Sequence, residues 1–162
     1  MSERYARHCR RLRVATALVG AGIATLVLFG LVGPPIPIRV EAASLSPAQW
    51  AAVRLIVALP ACGYLWALWA AQHALGGLAA GQRFQPTVSR ALRQIGGGVL
   101  FGALAEVFLL TNLLRLVLGG SGSYLYVDLS AIVLGVVGAA LLPIARLIDQ
   151  ARALQAELDE IL

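Results

Sequence analysis

The chain has 162 residues, 59% hydrophobic and only 13% charged, with a mean hydropathy of +0.81. Soluble domains are about half apolar and about a quarter charged, so this composition excludes an ordinary soluble fold and leaves room for about four bilayer spans of roughly 20 residues. The net charge of +5 does not indicate direct nucleic-acid binding, because every basic residue other than the two His is Arg and they cluster beside apolar runs instead of interleaving with aromatics.

Residues 1–13 carry Arg4, Arg7, Arg10, Arg11 and Arg13 ahead of an uncharged run from Val14 to Ile38. A basic flank of this kind reads as a cytoplasmic anchor. A secretory signal is the rival reading, with Val40-Glu41-Ala42 as its cleavage site, but signal cores span about 7 to 15 residues and this run is longer and ends in proline. Small residues recur at four-residue spacing, Ala17 to Ala21 and Gly20 to Ala24, which lets helix backbones approach. Pro34, Pro35 and Pro37 end the helix because proline lacks the amide and disfavours helical geometry before it.

The second helix opens with Ser46 as N-cap, Pro47 at the first helical position and Gln49 completing a capping box. Trp50 suits the membrane interface, Arg54 lies in the first two turns where its stem can snorkel, and Pro60 is a kink that a membrane helix tolerates. With Gly81 as its stop, the helix from Pro47 to Ala80 would be roughly 50 Å long and would protrude from a core about 30 Å thick. The return helix starts near Pro86 and carries Arg90 and Arg93 before the membrane proper, giving a tight hairpin.

After Arg115 comes a Gly- and Ser-rich turn, with Tyr124 and Tyr126 as interface aromatics and Asp128 as the cap of the fourth helix. That helix has a small-residue row of Ala131, Gly135 and Ala139, then Pro143. Beyond Arg146 the pattern becomes amphipathic, with Leu147, Ala151, Leu154, Leu158 and Ile161 spaced by four and three. The expectation is a single all-α domain over 1–162, an integral membrane four-helix bundle with spans near 14–33, 50–73, 94–116 and 128–146 and a cytoplasmic tail over 147–162. Five Arg in the first segment, three in the hairpin (Arg83, Arg90, Arg93) and two in the tail (Arg146, Arg152) put ten on one side, against Arg39, Arg54 and Arg115 on the other. This asymmetry predicts a cell inner membrane protein with both termini cytoplasmic. The cytoplasmic extensions are expected to pack together, with Val88, Leu92 and Ile95 meeting the Leu147 to Ile161 seam.

The stretch from Leu65 to Gly96 resembles the bacterial membrane family catalogued as domain of unknown function 2975, with its Gly-x-x-Phe-x-Pro turn at Gly81, Phe84 and Pro86 and then Leu92, Ile95 and Gly96. The resemblance extends more loosely over most of the chain and departs at the C-terminus, where Glu157-Leu158-Asp159-Glu160-Ile161-Leu162 replaces a Glu-x-Asp-Leu-Thr-Val-like ending. It implies four spans and a helix-turn-helix transcription regulator as partner.

Catalytic signatures are absent: there is no G-x-S-x-G, no H-E-x-x-H, no Lys and no strand before Gly96-Gly97-Gly98 that would make it a phosphate loop. No enzyme activity, cofactor or metal is expected. Cys9 and Cys62 lie at different depths and read as free thiols; His8 and His73 lack companions at ligand spacing.

Glu106 is the exception, since an acid inside a span costs about 2.5 to 3.5 kcal/mol on insertion scales and therefore faces a partner or a task. Gly98, Gly102 and Glu106 lie along one stripe, and the expected partner is Arg54 across the second and third helices, with Thr111, Asn112 and Arg115 as alternatives. The functional expectation is a regulatory or sensing partner of a cytoplasmic factor; the alternative is a small transporter or channel subunit using Glu106. The lipid bilayer and a homo-oligomer complete the expected partners.

Overall fold

The computed structural model describes residues 3–32, 46–80, 84–118 and 128–161. They form α1 (Glu3–Val32), α2 (Pro47–Ala79), a third rod composed of α3 (Phe84–Leu104), a π-helical turn (Ala105–Leu109) and α4 (Leu110–Leu118), and finally α5 (Leu129–Ile161). No strand occurs among the described residues, and four rods are long and apolar enough to cross a membrane: Val14–Val32, Pro47–Ala79, Pro86–Val117 and Leu129–Glu157. The basic first segment is helical from Glu3 and continuous with its span. Gly81, the prolines Pro34, Pro35 and Pro37, and the aromatics Tyr124 and Tyr126 lie outside the described residues.

Helix starts obey the local chemistry. Ser46 Oγ accepts from the Gln49 amide at 3.3 Å while Gln49 Oε1 accepts from the Ser46 amide at 2.9 Å, so two otherwise orphaned donors are satisfied reciprocally. The Gln49 side-chain amide also donates to the Val117 carbonyl at 3.3 Å, tying the start of α2 to the end of α4. Asp128 Oδ1 accepts from the Ser130 amide at 2.8 Å and caps α5. The third helix begins at Phe84, two residues before Pro86, so the proline sits inside the first turn.

Among the described residues the rods form an open row in place of a closed bundle: α1 packs on α2, α2 on the third rod, and the third rod on α5, while α1 and α5 do not meet. The reason lies in α3, which has small residues on two opposite faces. Gly98 and Gly102 meet α2, where a Cβ added at Gly63 would lie 2.7 Å from the Gly102 nitrogen. Gly96 meets α5, where an added Cβ would lie 2.7 Å from the Gly138 carbonyl oxygen. Two residues at about 100° each separate Gly96 from Gly98, so the two contacts sit on nearly opposite sides and hold α2 and α5 apart.

On α5 the contact row is Ala131, Gly135, Gly138, Leu142 and Ala145, with Ala131 and Ala145 buried. The expected row of Ala131, Gly135 and Ala139 is corrected at its third member, because spacing of four then three keeps a stripe straight on a helix of 3.6 residues per turn; Ala139 is exposed. On α1 the window across the span has no buried residue. Ala17 and Ala21 are exposed; Gly20 faces Gln72 of α2, the Leu31 carbonyl accepts from Arg54, and Ile23 and Val27 line a cavity between the two helices.

At the hairpin end Ser89, only 2% exposed, donates to Asp149 Oδ1, and Arg93 Nη2 bridges Asp149 Oδ2 at 2.6 Å. Asp149 therefore pins α5 to α3 and continues the row that ends in Ala145. The expected packing of Leu92 against the Leu147 to Ile161 seam is corrected: Leu147 is 62% and Leu154 61% exposed. Leu147 lies two residues beyond Ala145, about 200° around the helix, so the side of α5 that meets α3 is not the seam. Ser89→Ala is expected to destabilise by about 1 kcal/mol through loss of a buried hydrogen bond, and Arg93→Gln by less than about 1 kcal/mol because that pair is solvent-exposed. Thermal unfolding of the two variants in detergent checks this order.

Candidate functional site in the second and third spans

The closest approach of α2 to α3 positions the only acid within the third span. Gly63 and Gly98 bring the two backbones together, and Gly102 leaves room for the Tyr64 ring, since an added Cβ there would lie 2.8 Å from Tyr64 Cε1. One turn further on, the Tyr64 hydroxyl donates to Glu106 Oε2 at 3.0 Å. Glu106 is half-buried between the buried Ala105 and Val107.

The backbone at this point is unusual. Residues Ala105–Leu109 form a π turn, and the Leu110 amide donates to the carbonyl of Ala105, five residues back. One extra residue in a turn re-aims every side chain beyond it, and single π turns inside α-helices occur frequently at functional sites. Here the widened turn contains the acid itself.

The expected Glu106 to Arg54 pair is not formed. Arg54 Nη1 donates to the Leu31 carbonyl at 2.7 Å, near the last turn of α1. Two geometric facts explain the difference. Gly63 and Arg54 are nine residues apart, about 180° at 100° per residue, so Arg54 lies on the α1 side of α2, away from the third rod. In an antiparallel pair with Gly63 level with Gly102, Glu106 comes level with Leu59 and Arg54 with Thr111, roughly 7.5 Å apart in depth. Of the alternative partners, Asn112 donates to the Phe108 carbonyl at 2.7 Å in its own helix.

Arg54 instead lines a cavity of about 290 Å³ between α1 and α2, otherwise walled by apolar side chains such as Leu26, Val27, Trp50 and Val57. A third feature sits at the hairpin end of α2, where Trp66, Trp69 and His73 form a ladder with ring centroids 5.2 and 4.1 Å apart. The hairpin motif divides: Pro86 lines a cavity beside this ladder, whereas Gly81 falls outside the described residues and for Phe84 only the helical backbone is described. Cys62 is an exposed free thiol. Among the described residues no three His, Cys, Asp or Glu side chains converge as metal ligands.

Sequence reasoning missed Tyr64. Its signal was available in the glycine stripe: Gly98 and Gly102 require a small neighbour on α2, Gly63 is the glycine of the span core, and the next residue is the phenol. No family model, curated protein or solved structure matches this chain.

Proposed function

We propose that the protein is a membrane-embedded regulatory or sensing partner that holds a soluble helix-turn-helix regulator at the cytoplasmic face of a cell inner membrane. The observation that carries this reading is the uncovered Leu147 and Leu154 side of α5, on a rod that runs without a break from the span into the tail. A seam at spacings of four and three on a protruding helix is suited to receive an amphipathic partner helix. Its distal end carries Glu157, Asp159 and Glu160, which complements the basic surface typical of a DNA-binding protein and opposes an anionic lipid surface. The orientation rests on the ten-to-three Arg asymmetry, and the partner class on the resemblance of Leu65 to Gly96 to the four-span family.

The test is co-purification of the tagged chain with a helix-turn-helix protein, compared with a Leu147→Gln/Leu154→Gln variant. These exposed changes leave the fold intact, so thermal stability stays within about 0.5 kcal/mol, while the partner is released. Retention of the partner by the variant, or loss of the fold, contradicts the reading.

A second reading, a small transporter or channel subunit, is favoured by one observation: the Tyr64 to Glu106 hydrogen bond on a π turn inside a span. Cation or proton flux into vesicles that is abolished by Glu106→Gln in a folded protein supports it over the first.

A further inference from the structure

We infer that the cavity at the hairpin end, between α2 and the start of α3, is a binding site for the phosphate group of an anionic ligand. Its volume is about 750 Å³, and its polar wall is made by Trp69, Gln72, His73, Thr87, Arg90 and Gln94. A cavity of this size accepts a small molecule or a lipid headgroup with part of its backbone. The site is separate from the tail seam and from Glu106, and it stands whether or not the tail binds a regulator.

The donors converge from two helices. Arg90 is exposed and makes no ion pair with the described residues, so its planar guanidinium presents five N–H donors to whatever enters. His73 Nδ1 lies 3.2 Å from the Trp69 carbonyl oxygen. A carbonyl only accepts, so this contact is a hydrogen bond with the proton on Nδ1; Nε2 of the neutral ring is then an acceptor, and His73 bounds the cavity without donating to the anion. The Gln72 and Gln94 amides add neutral donors. Among the described residues no carboxylate lines the cavity, so none of them competes there for Arg90.

Two further features select phosphate. Arginine binds phosphate with paired N–H donors, and neutral amides complete such a shell without overcharging it. The Trp69 ring at one side gives the amphipathic edge found where headgroups meet acyl chains. The remaining wall is of small residues such as Ala70, Gly76 and Gly77, which leave the space open. Gly20 of α1 approaches Gln72, where an added Cβ would lie 3.4 Å from Nε2, so a third helix reaches this end of the molecule.

The phosphate has two sources, a phospholipid headgroup and a soluble phosphate, and one experiment separates them. Delipidated full-length protein in a neutral detergent is titrated with dioleoylphosphatidylglycerol, dioleoylphosphatidylcholine and inorganic phosphate, with bound stoichiometry read by native mass spectrometry and affinity by thermal shift. Phosphatidylglycerol, or inorganic phosphate, is expected to bind one per chain and to weaken about tenfold or more in Arg90→Gln, as loss of a charge-assisted contact implies. Response to the lipid alone assigns the headgroup as the source; response to inorganic phosphate assigns a soluble ligand. Arg146→Gln, which removes the same charge from exposed α5 outside the cavity, is expected to bind as the parent does. Gln94→Leu gives a second, smaller loss and guards against a folding effect at Arg90. Saturable binding of both lipids with equal affinity, equal losses in Arg90→Gln and Arg146→Gln, or no saturable binding by either source overturns the site.

Discussion

Alanine at two adjacent positions in the third helix will act in opposite directions. At Gly98 a Cβ would lie 2.8 Å from the Gly63 carbonyl oxygen and 3.1 Å from the Ala67 Cβ, whereas at Gly97 it would meet nothing within 4 Å. Gly98→Ala therefore forces two backbones apart, and overpacking of this kind costs about 1 to 3 kcal/mol. Gly97→Ala gains helix propensity with no steric penalty, about 0.8 to 1 kcal/mol in soluble hosts. Gly63→Leu goes further, since its Cβ alone would sit 2.7 Å from the Gly102 nitrogen, and it is expected to abolish folded protein. Thermal stability and folded yield in detergent check all three; equal effects at Gly97 and Gly98 would contradict the close α2 to α3 contact.

The second large effect concerns the acid. Tyr64→Phe removes the hydroxyl that donates to Glu106 Oε2 and leaves a half-buried carboxyl group short of its partner, a loss of about 1 to 3 kcal/mol. Glu106→Leu, by contrast, removes the group that required satisfaction, so adding Tyr64→Phe to it should cost less than Tyr64→Phe alone. The double-mutant cycle should give a coupling of at least about 0.5 kcal/mol, as expected for residues in contact. Arg54→Gln combined with Glu106→Leu should be additive within about 0.5 kcal/mol, because Arg54 is held at the Leu31 carbonyl on the other side of α2. A coupled Arg54 cycle and an uncoupled Tyr64 cycle would reverse the assignment.

The helices were legible in the sequence because each is announced by its own chemistry. Four apolar runs mark the four rods long and apolar enough to cross a membrane, Ser46 with Gln49 and Asp128 mark two starts, and all of these are local signals. The stripe of Gly98, Gly102 and Glu106 was legible for the same reason. Its partner was not, because partner identity depends on the rotation of α2. The expectation put Arg54 opposite Glu106 across the second and third helices, whereas 180° of rotation from Gly63 turns it toward α1. The tail failed in the same manner: its seam is a real period, but Asp149, held by Ser89 and Arg93, turns the opposite side of α5 toward α3. The open row is likewise invisible to a pattern of spans, since it arises from glycines on two faces of one helix.

The claim that the uncovered side of α5 receives a cytoplasmic partner is tested most directly by a photo-crosslinking residue placed in turn at positions 146 to 157 in living cells. Adducts with a soluble helix-turn-helix protein, identified by peptide mass, are predicted at 147, 151 and 154, with little at 149, whose side chain is engaged by Ser89 and Arg93. Adducts without that period, adducts only with a second copy of the chain, or none at all would contradict it.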